Sequence, residues 1–512
     1  MAKGQTLRDL LGSNDQDLFR RAQVRQVLRY RRSTDFSGYL ADVDWLLTSP
    51  DVRSHLKVLV VALTQTTPDP TPQEWGLLRP IAVDPTHLLH QRLWNALRRN
   101  SAWFPVIGRE QWERWLASHD TAVVNRTVWA LALMAATWPE ETVTLMRELP
   151  EGPSRMFLQL SDVQHGRALL ELMLDAITAG LFDADGTTTV WEITRVVAAH
   201  QPGWAVELLQ ALMARMLMIE ADAAIEASFR APGPWSARRG FGGEEAITTA
   251  AREAPEDFVD RLMPLAVELT RRHSRGRDYG AGPLFDRIWG VRHFQSPDSL
   301  LDDLFAGLEG SLGQMAQSEP DRADVVFERL RCENLESGWI LLARGYAGNP
   351  ARFADQAVEW LISSPGSLDL GFADSAYWVT RELIGAISPH CSKASFERLV
   401  DSLLYFTPDR ERTYRALKSR GRGELCLLIG LSPARRPERV ERRLVELRRK
   451  FLRDDVSPPQ VLELGLIPPP IPEERASRMT DVQWIRAIVQ HGESDGSVDA
   501  DRSWVGDTSQ QA

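Results

Sequence analysis

Three observations predict an all-α fold for this 512-residue chain. Apolar residues recur at helical spacing, as in Leu7, Leu10, Leu11, Leu18 and Phe19, and again in Val440, Leu444, Leu447 and Phe451. Alternating strand patterns bounded by hairpin turns are nearly missing. Prolines recur just ahead of amphipathic runs. At about 150 residues per domain the length exceeds one core, so several domains or an elongated array are expected.

The proline positions carry the repeat. Pro139, Pro202, Pro255, Pro320, Pro350 and Pro437 each follow one apolar helical stretch and open the next. A helix tolerates proline in its first turn, where the missing N–H has no intrahelical role. Each unit therefore reads as helix, tight turn, helix. The spacings are irregular, so the prediction is an irregular helical-repeat superhelix, a HEAT- or TPR-like α-solenoid, with a short disordered C-terminal tail. The expected organisation is helical repeats over 1–228, a Gly/Pro/Arg-rich loop over 229–243, helical repeats over 244–456, a proline-rich connector and short helix over 457–490, and a disordered acidic tail over 491–512. Thr480 and Gln483 have capping-box spacing for the short helix. The β-branched run from Gly186 to Trp191 fits either a strand or a helix start.

The composition bounds the function class. Hydrophobic residues at 43% and charged residues at 25% describe a globular chain. The longest apolar run, Val128 to Ala136, is far short of a bilayer span, and the N-terminus has no apolar secretion signal. A cytoplasmic protein with no membrane association is expected. Cys332, Cys391 and Cys426 are too few and too scattered for a disulfide framework or a zinc site, and read as buried free thiols.

No catalytic motif survives inspection, and neither an enzyme activity nor a cofactor is expected. A P-loop needs a Gly-Lys pair, and none of the five lysines follows a glycine. Gly492 to Gly496 matches the nucleophile-elbow letters inside a polar tail, without the strand-to-helix turn that the chemistry requires. His87 and His90 have the spacing of one helix face but lack a third metal ligand. Asp183 to Gly186 has the opening of a calcium loop without its remaining ligands.

Two sets of residues are candidate contact surfaces. Irregular loops on a rigid scaffold commonly carry recognition, which selects Trp235, Arg238 and Arg239 in one Gly-rich loop and Arg275, Arg277 and Tyr279 in another. Trp112, Trp115, Trp129 and Trp138 fall in apolar stripes and read as core, whereas Trp235 is hard to bury. The second set is a basic segment, 410–453, with fifteen basic and five acidic residues in a chain of net charge −10. Arg415, Lys418, Arg420, Arg422, Arg442, Arg443, Arg449 and Lys450 are its candidate surface residues. A solvated helix face laced with ion pairs explains such a segment, and docking to phosphates or to an acidic protein is the functional alternative. The basic set is almost all arginine, which fits either phosphate forks or a compositional bias.

The region from about Gly338 to Ile488 resembles the C-terminal helical region of large bacterial antiviral STAND-type P-loop NTPases (AVAST-like). The matching residues are Tyr377-Trp378 with Arg381-Glu382, the run Ser388 to Ser392, and Met479-Thr480-Asp481 with Trp484. Thr71 to Trp75 is similar and less diagnostic. In that family the helical region is a sensor that binds a phage protein, joined to an NTPase and an effector, neither of which is found in this chain. The resemblance implies a non-catalytic scaffold for protein recognition, whose partner is a phage protein or a separate NTPase or effector subunit. It carries over no catalytic residue. The alternative is a nucleic-acid-binding, even nucleic-acid-processing, helical-repeat protein using the 410–453 segment.

Overall fold

The computed structural model describes residues 18–50, 52, 54–147, 149–183, 187–222, 235, 242–274, 282–286, 288–289, 299–364, 366–371, 377–412, 420–451, 479–480 and 483. The described residues are almost entirely helical, with an isolated bridge between Leu284 and Leu335 and no strand among them. The chain divides into two units, Met1–Asp222 and Ala223–Ala512.

The first unit contains α1 (Leu18–Thr34), α2 (Phe36–Thr48), α3 (Ser54–Thr64), α4 (Pro72–Val83), α5 (His90–Leu97), α6 (Trp103–Ile107), α7 (Arg109–Leu116), α8 (Thr121–Met134), α9 (Pro139–Met146), α10 (Glu151–Leu160), α11 (Arg167–Thr178), α12 (Thr187–His200) and α13 (Pro202–Asp222). Two interleaved rows emerge from their packing. One row is α1, α3, α5, α8, α10 and α12, each helix against the next. The other row includes α2, α4 and α6, then α9, α11 and α13. The run at Gly186 to Trp191 resolves as helix from Thr187, the start of α12.

The second unit repeats the plan with α14 (Gly243–Glu253), α15 (Pro255–Arg272), α16 (Leu300–Ser318), α17 (Pro320–Cys332), α18 (Glu336–Gly348), α19 (Pro350–Ser363), α20 (Trp378–Ile387), α21 (Lys393–Leu404), α22 (Asp409–Arg412), α23 (Arg422–Gly430) and α24 (Glu438–Lys450). Its inner row runs α14, α16, α18, α20, α23, and each following helix of the other row, α15, α17, α19, α21 and α24, packs beside it.

The proline repeat has a physical form. Among the described residues Gln201, Ala254, Glu319 and Asn349 each join two helices as a single residue ahead of a proline at the first helical position. Proline disfavours α conformation in the residue before it. Ala254 (φ −135°, ψ 56°), Glu319 (−133°, 66°) and Asn349 (−139°, 73°) accordingly share one bent geometry. Trp138 before Pro139 adopts it too (−128°, 59°). The elbow residue serves both helices. The Ala254 N–H donates to Ala250 at 2.9 Å, and its carbonyl accepts from Phe258 at 2.9 Å; Glu319 does the same with Met315 and Ala323 at 2.8 and 3.0 Å. Pro437 differs, since it is the N-cap and α24 begins after it at Glu438.

Aromatic clusters fill the space between rows. In the first unit Trp94 packs on Trp112 and Trp115, Trp75 meets Trp115 edge-on, and Phe104 stacks between Trp112 and Trp138. In the second unit Phe327, Tyr346, Phe353 and Trp360 form a similar group. Such pairs add roughly 0.5–1.5 kcal/mol each beyond the area they bury.

Ion pairs and one amide–carboxylate hydrogen bond tie successive repeats in the outer row of the second unit. The later helix supplies a donor and the earlier helix a carboxylate. Arg322 on α17 meets Glu256 at 3.2 Å and also Asp260 on α15, and Gln356 on α19 meets Asp324 on α17 at 2.7 Å. Arg398 on α21 meets Glu359 on α19 at 2.7 Å, and Arg439 on α24 meets Glu397 and Asp401 on α21 at 2.8 and 2.6 Å. Exposed pairs like these contribute about 0–1 kcal/mol each, so they set register more than stability.

Candidate functional site

The structure redistributes the candidate residues read from the sequence. Trp235 is buried, 1% exposed, so its expected role as an exposed contact is corrected: its indole belongs to the core. A tryptophan carries enough apolar area to be drawn inside even from a Gly/Pro-rich segment. Arg238, Arg239, Arg275, Arg277 and Tyr279 lie outside the described residues, as do Arg415 and Lys418 of the basic set. So do most of the 457–490 connector and the whole 491–512 tail. At Thr480 the backbone N–H donates to the Gln483 side chain at 2.9 Å, which is one half of the expected capping box.

Much of the basic segment is committed to holding the fold. Arg435 donates to the Ser388 and Cys391 carbonyls at 2.6 and 2.9 Å, closing the end of α20. Arg436 donates to the Ile429 and Leu431 carbonyls at 2.8 and 3.0 Å. Arg443 grips Glu424 through two bonds, 2.8 and 2.7 Å, and also meets Glu446 at 3.0 Å. Arg442 faces Glu438 at 3.6 Å on an exposed surface. Lys450 donates to the Arg420 carbonyl at 2.6 Å. Arg420 and Arg449 are exposed and Arg422 is half-buried. The sequence places a strong net charge here; the structure spends a large part of it on carbonyls and carboxylates.

The residues behind the family resemblance also have structural work. Tyr377 is the N-cap of α20 with φ 69°, a left-handed conformation unusual for a side chain this large. Its ring is buried, and its hydroxyl donates to Glu411 at 3.2 Å. Glu411 is itself buried and accepts the N–H groups of Gly421 and Gly423, which open α23. A Cβ on Gly423 would stand 2.8 Å from the Tyr377 ring, so glycine is required there. The Ser388 hydroxyl accepts the Ser432 N–H at 2.9 Å, and Ser392 caps α21. Thr71 and Glu74 form a full capping box, and Trp75 is buried behind it.

The histidine pair is corrected as well. His87 lies in the turn before α5 and accepts the Leu89 N–H at 3.1 Å, whereas His90 opens the helix. Among the described residues no group of three or more His, Cys, Asp or Glu is placed to hold a metal ion. Asp183 is paired with Arg215 at 2.6 Å. Of the cysteines, Cys391 is buried but Cys332 is exposed, contrary to the uniform burial expected. Burial pushes the Cys391 thiol up, so it stays protonated. Among the described residues no helix is long and apolar enough to cross a membrane.

A site that sequence reasoning missed lies where α5 packs beside α8. The run Val128 to Ala136 is too uniformly apolar to be buried on every side. Val128, Leu131 and Ala135 point inward at 0% exposure, which turns Trp129 and Leu133 outward at 40% and 44%. Trp129 is therefore corrected from core to surface. Arg98, at the end of α5, lies over its ring at 4.0 Å. On the same face of α8, one turn earlier, Arg126 donates to His90 Nε2 and its guanidinium lies 5.9 Å from the Trp94 ring. A guanidinium only donates, so Nε2 accepts and the imidazole hydrogen sits on Nδ1, bonded to the Ile81 carbonyl at 2.9 Å. Burial, then Arg126, holds His90 below the usual histidine range, and the ring is neutral at pH 7. Arg98 is likewise held down by burial and by neighbouring Arg99. Among the described residues neither Arg98 nor Arg126 meets a carboxylate. The missed signal was phase: residues 129 and 133 are four apart, on the face opposite Val128, Leu131 and Ala135.

No protein-family model matches the chain, and no curated protein matches it. Among solved structures, the crystal structure of an engineered protein is similar at 13% identity over 77% of this chain and 96% of that chain, with a TM-score of 0.28.

Proposed function

We propose that the chain is a non-catalytic helical-repeat scaffold for protein recognition, similar in role to the sensor region of antiviral STAND NTPases. One observation supports this most: an exposed tryptophan and leucine, flanked by arginines that meet no described carboxylate, on a rigid two-row helical framework. Tryptophan and arginine are the residues that most often dominate protein interfaces. Tyr377, Ser388 and Ser392, described residues that carry the STAND resemblance, help build the framework, consistent with a shared scaffold rather than a shared catalytic site. The partner in this reading is a phage protein or a separate NTPase or effector subunit.

The nucleic-acid reading has less support, because Arg435, Arg436, Arg439 and Arg443 are already bound within the fold. The deciding experiment is capture of tagged full-length chain from a bacterial host with and without phage challenge. Half of each eluate is treated with nuclease, and any identified protein is then purified and mixed with the chain. A nuclease-resistant complex that reassembles from the two pure proteins is the expected result. Recovery of nucleic acid alone, lost as salt is raised, would overturn the reading in favour of the 410–453 surface.

A further inference from the structure

We propose that the α5–α8 face of the first unit docks an acidic segment of a partner protein, its carboxylates meeting Arg98 and Arg126 and an apolar side chain resting beside Trp129 and Leu133. The inference rests on the recognition reading and names the class of partner.

Charge complementarity identifies the occupant. Across the described surface arginines are repeatedly matched to carboxylates: Arg167 with Glu207, Arg322 with Glu256, Arg398 with Glu359, Arg439 with Glu397. On the face at α5 and α8 the two guanidiniums meet rings and no described carboxylate. Arg98 is turned onto an indole, and Arg126 onto a neutral imidazole. Asp84, which acts electrostatically on His90, accepts from the Thr86 hydroxyl and N–H. Each guanidinium carries five N–H donors, so Arg126 keeps donors free after bonding His90. The Arg98 guanidinium is held 4.0 Å over the Trp129 ring, and a preorganised fork loses less entropy when a carboxylate arrives.

The same geometry disfavours a nucleic acid strand. Single-strand binders stack bases on aromatic faces. Here Arg98 already covers one face of Trp129 at 4.0 Å, and Leu133 offers no stacking surface. The chain as a whole is −10, which repels a polyanion at long range. A short acidic segment with one apolar side chain meets the local charge without carrying that many negative groups.

The test is an unbiased 12-residue peptide library displayed against immobilised full-length chain, with the enriched peptides measured in solution. Wild type is compared with Arg98→Glu, Trp129→Ala, and the charge-keeping Arg98→Lys, each checked for unchanged helicity. A 20-nucleotide oligo-dT is measured in parallel. Expected are peptides rich in Asp or Glu around an apolar residue, weakened at least tenfold by Arg98→Glu, at least fivefold by Trp129→Ala, and at most threefold by Arg98→Lys. Enriched peptides without acidic bias, or with affinities unchanged in both Arg98→Glu and Trp129→Ala, overturn the site while leaving the scaffold reading standing. No enriched peptide together with tight, salt-sensitive oligo-dT binding overturns both.

Discussion

A close approach of two helices in the second unit makes a sharp prediction at Gly348. A Cβ there would stand 2.6 Å from the Gly313 Cα and 2.7 Å from the Gly313 carbonyl oxygen. Both are backbone atoms, so no rotamer relieves the clash and α16 and α18 must separate. Overpacking of this kind costs about 1–3 kcal/mol. The same junction carries two bonds, Gln317 Nε2 to the Gly348 carbonyl at 2.9 Å and Asn349 Nδ2 to the Ala316 carbonyl at 2.8 Å. Stretching them costs roughly 0.5–1.5 kcal/mol each. Against this, alanine gains at most about 1 kcal/mol of helix propensity, and less at the last residue of a helix. These terms bracket about 1–6 kcal/mol, and with the bonds only partly stretched Gly348→Ala should destabilise by about 2 kcal/mol or more. Two neighbours serve as controls. A Cβ on Gly313 meets only the Gly348 Cα at 3.9 Å, so Gly313→Ala should be tolerated. Gly310 has nothing within 4 Å of its added Cβ, so Gly310→Ala should stabilise by about 0.5–1 kcal/mol. Because the chain has two units, amide hydrogen exchange in peptides covering α16 and α18 is the suitable assay. Gly348→Ala should exchange faster there by roughly thirtyfold or more, a 2 kcal/mol loss being about 1.4 kcal/mol per decade. Wild-type protection in Gly348→Ala, or equal damage from Gly313→Ala, would refute the close-approach argument.

Two further predictions concern charges held by the fold. Arg443→Met should destabilise the α23–α24 pair by about 2 kcal/mol, since it strands Glu424, whose side chain is 5% exposed; local exchange in α23 reads it, and adding Glu424→Gln should recover part of the loss. Glu74 gives a pH dependence in the first unit. Burial pushes its carboxyl up, but the Arg32 guanidinium, the Thr71 N–H and the Tyr39 hydroxyl outweigh burial and hold it below its ordinary value. Its contribution is therefore present above the unfolded value, about pH 4.3, and is lost as pH falls through the lower folded one. Protection of α4 should fall on acidification in wild type, whereas Glu74→Gln should start lower and show a flatter acid limb.

The sequence by itself determined the all-α class and the placing of the helix starts that carry a first-turn proline or a capping box. Local rules suffice for both. A proline frees the first turn and bends the residue before it, so Pro139, Pro202, Pro255, Pro320 and Pro350 announce their helices from within a few residues of chain. Thr71 with Glu74 specifies its own cap in the same way.

The tertiary structure decided which chemistry-bearing residues are spent and which are left for a partner. Composition shows a basic excess over 410–453, but only packing reveals that Arg435 and Arg436 close helix ends and that Arg439 and Arg443 meet acids 38–42 and 19 residues away. In the apolar run Val128–Ala136 helical phase separates Trp129 and Leu133 from Val128, Leu131 and Ala135, but which set is outward depends on the helices that pack against it. Trp235 and Trp129 exchange their expected places for the same reason. Burial is a property of neighbours brought together from distant parts of the chain, and no window of sequence contains them.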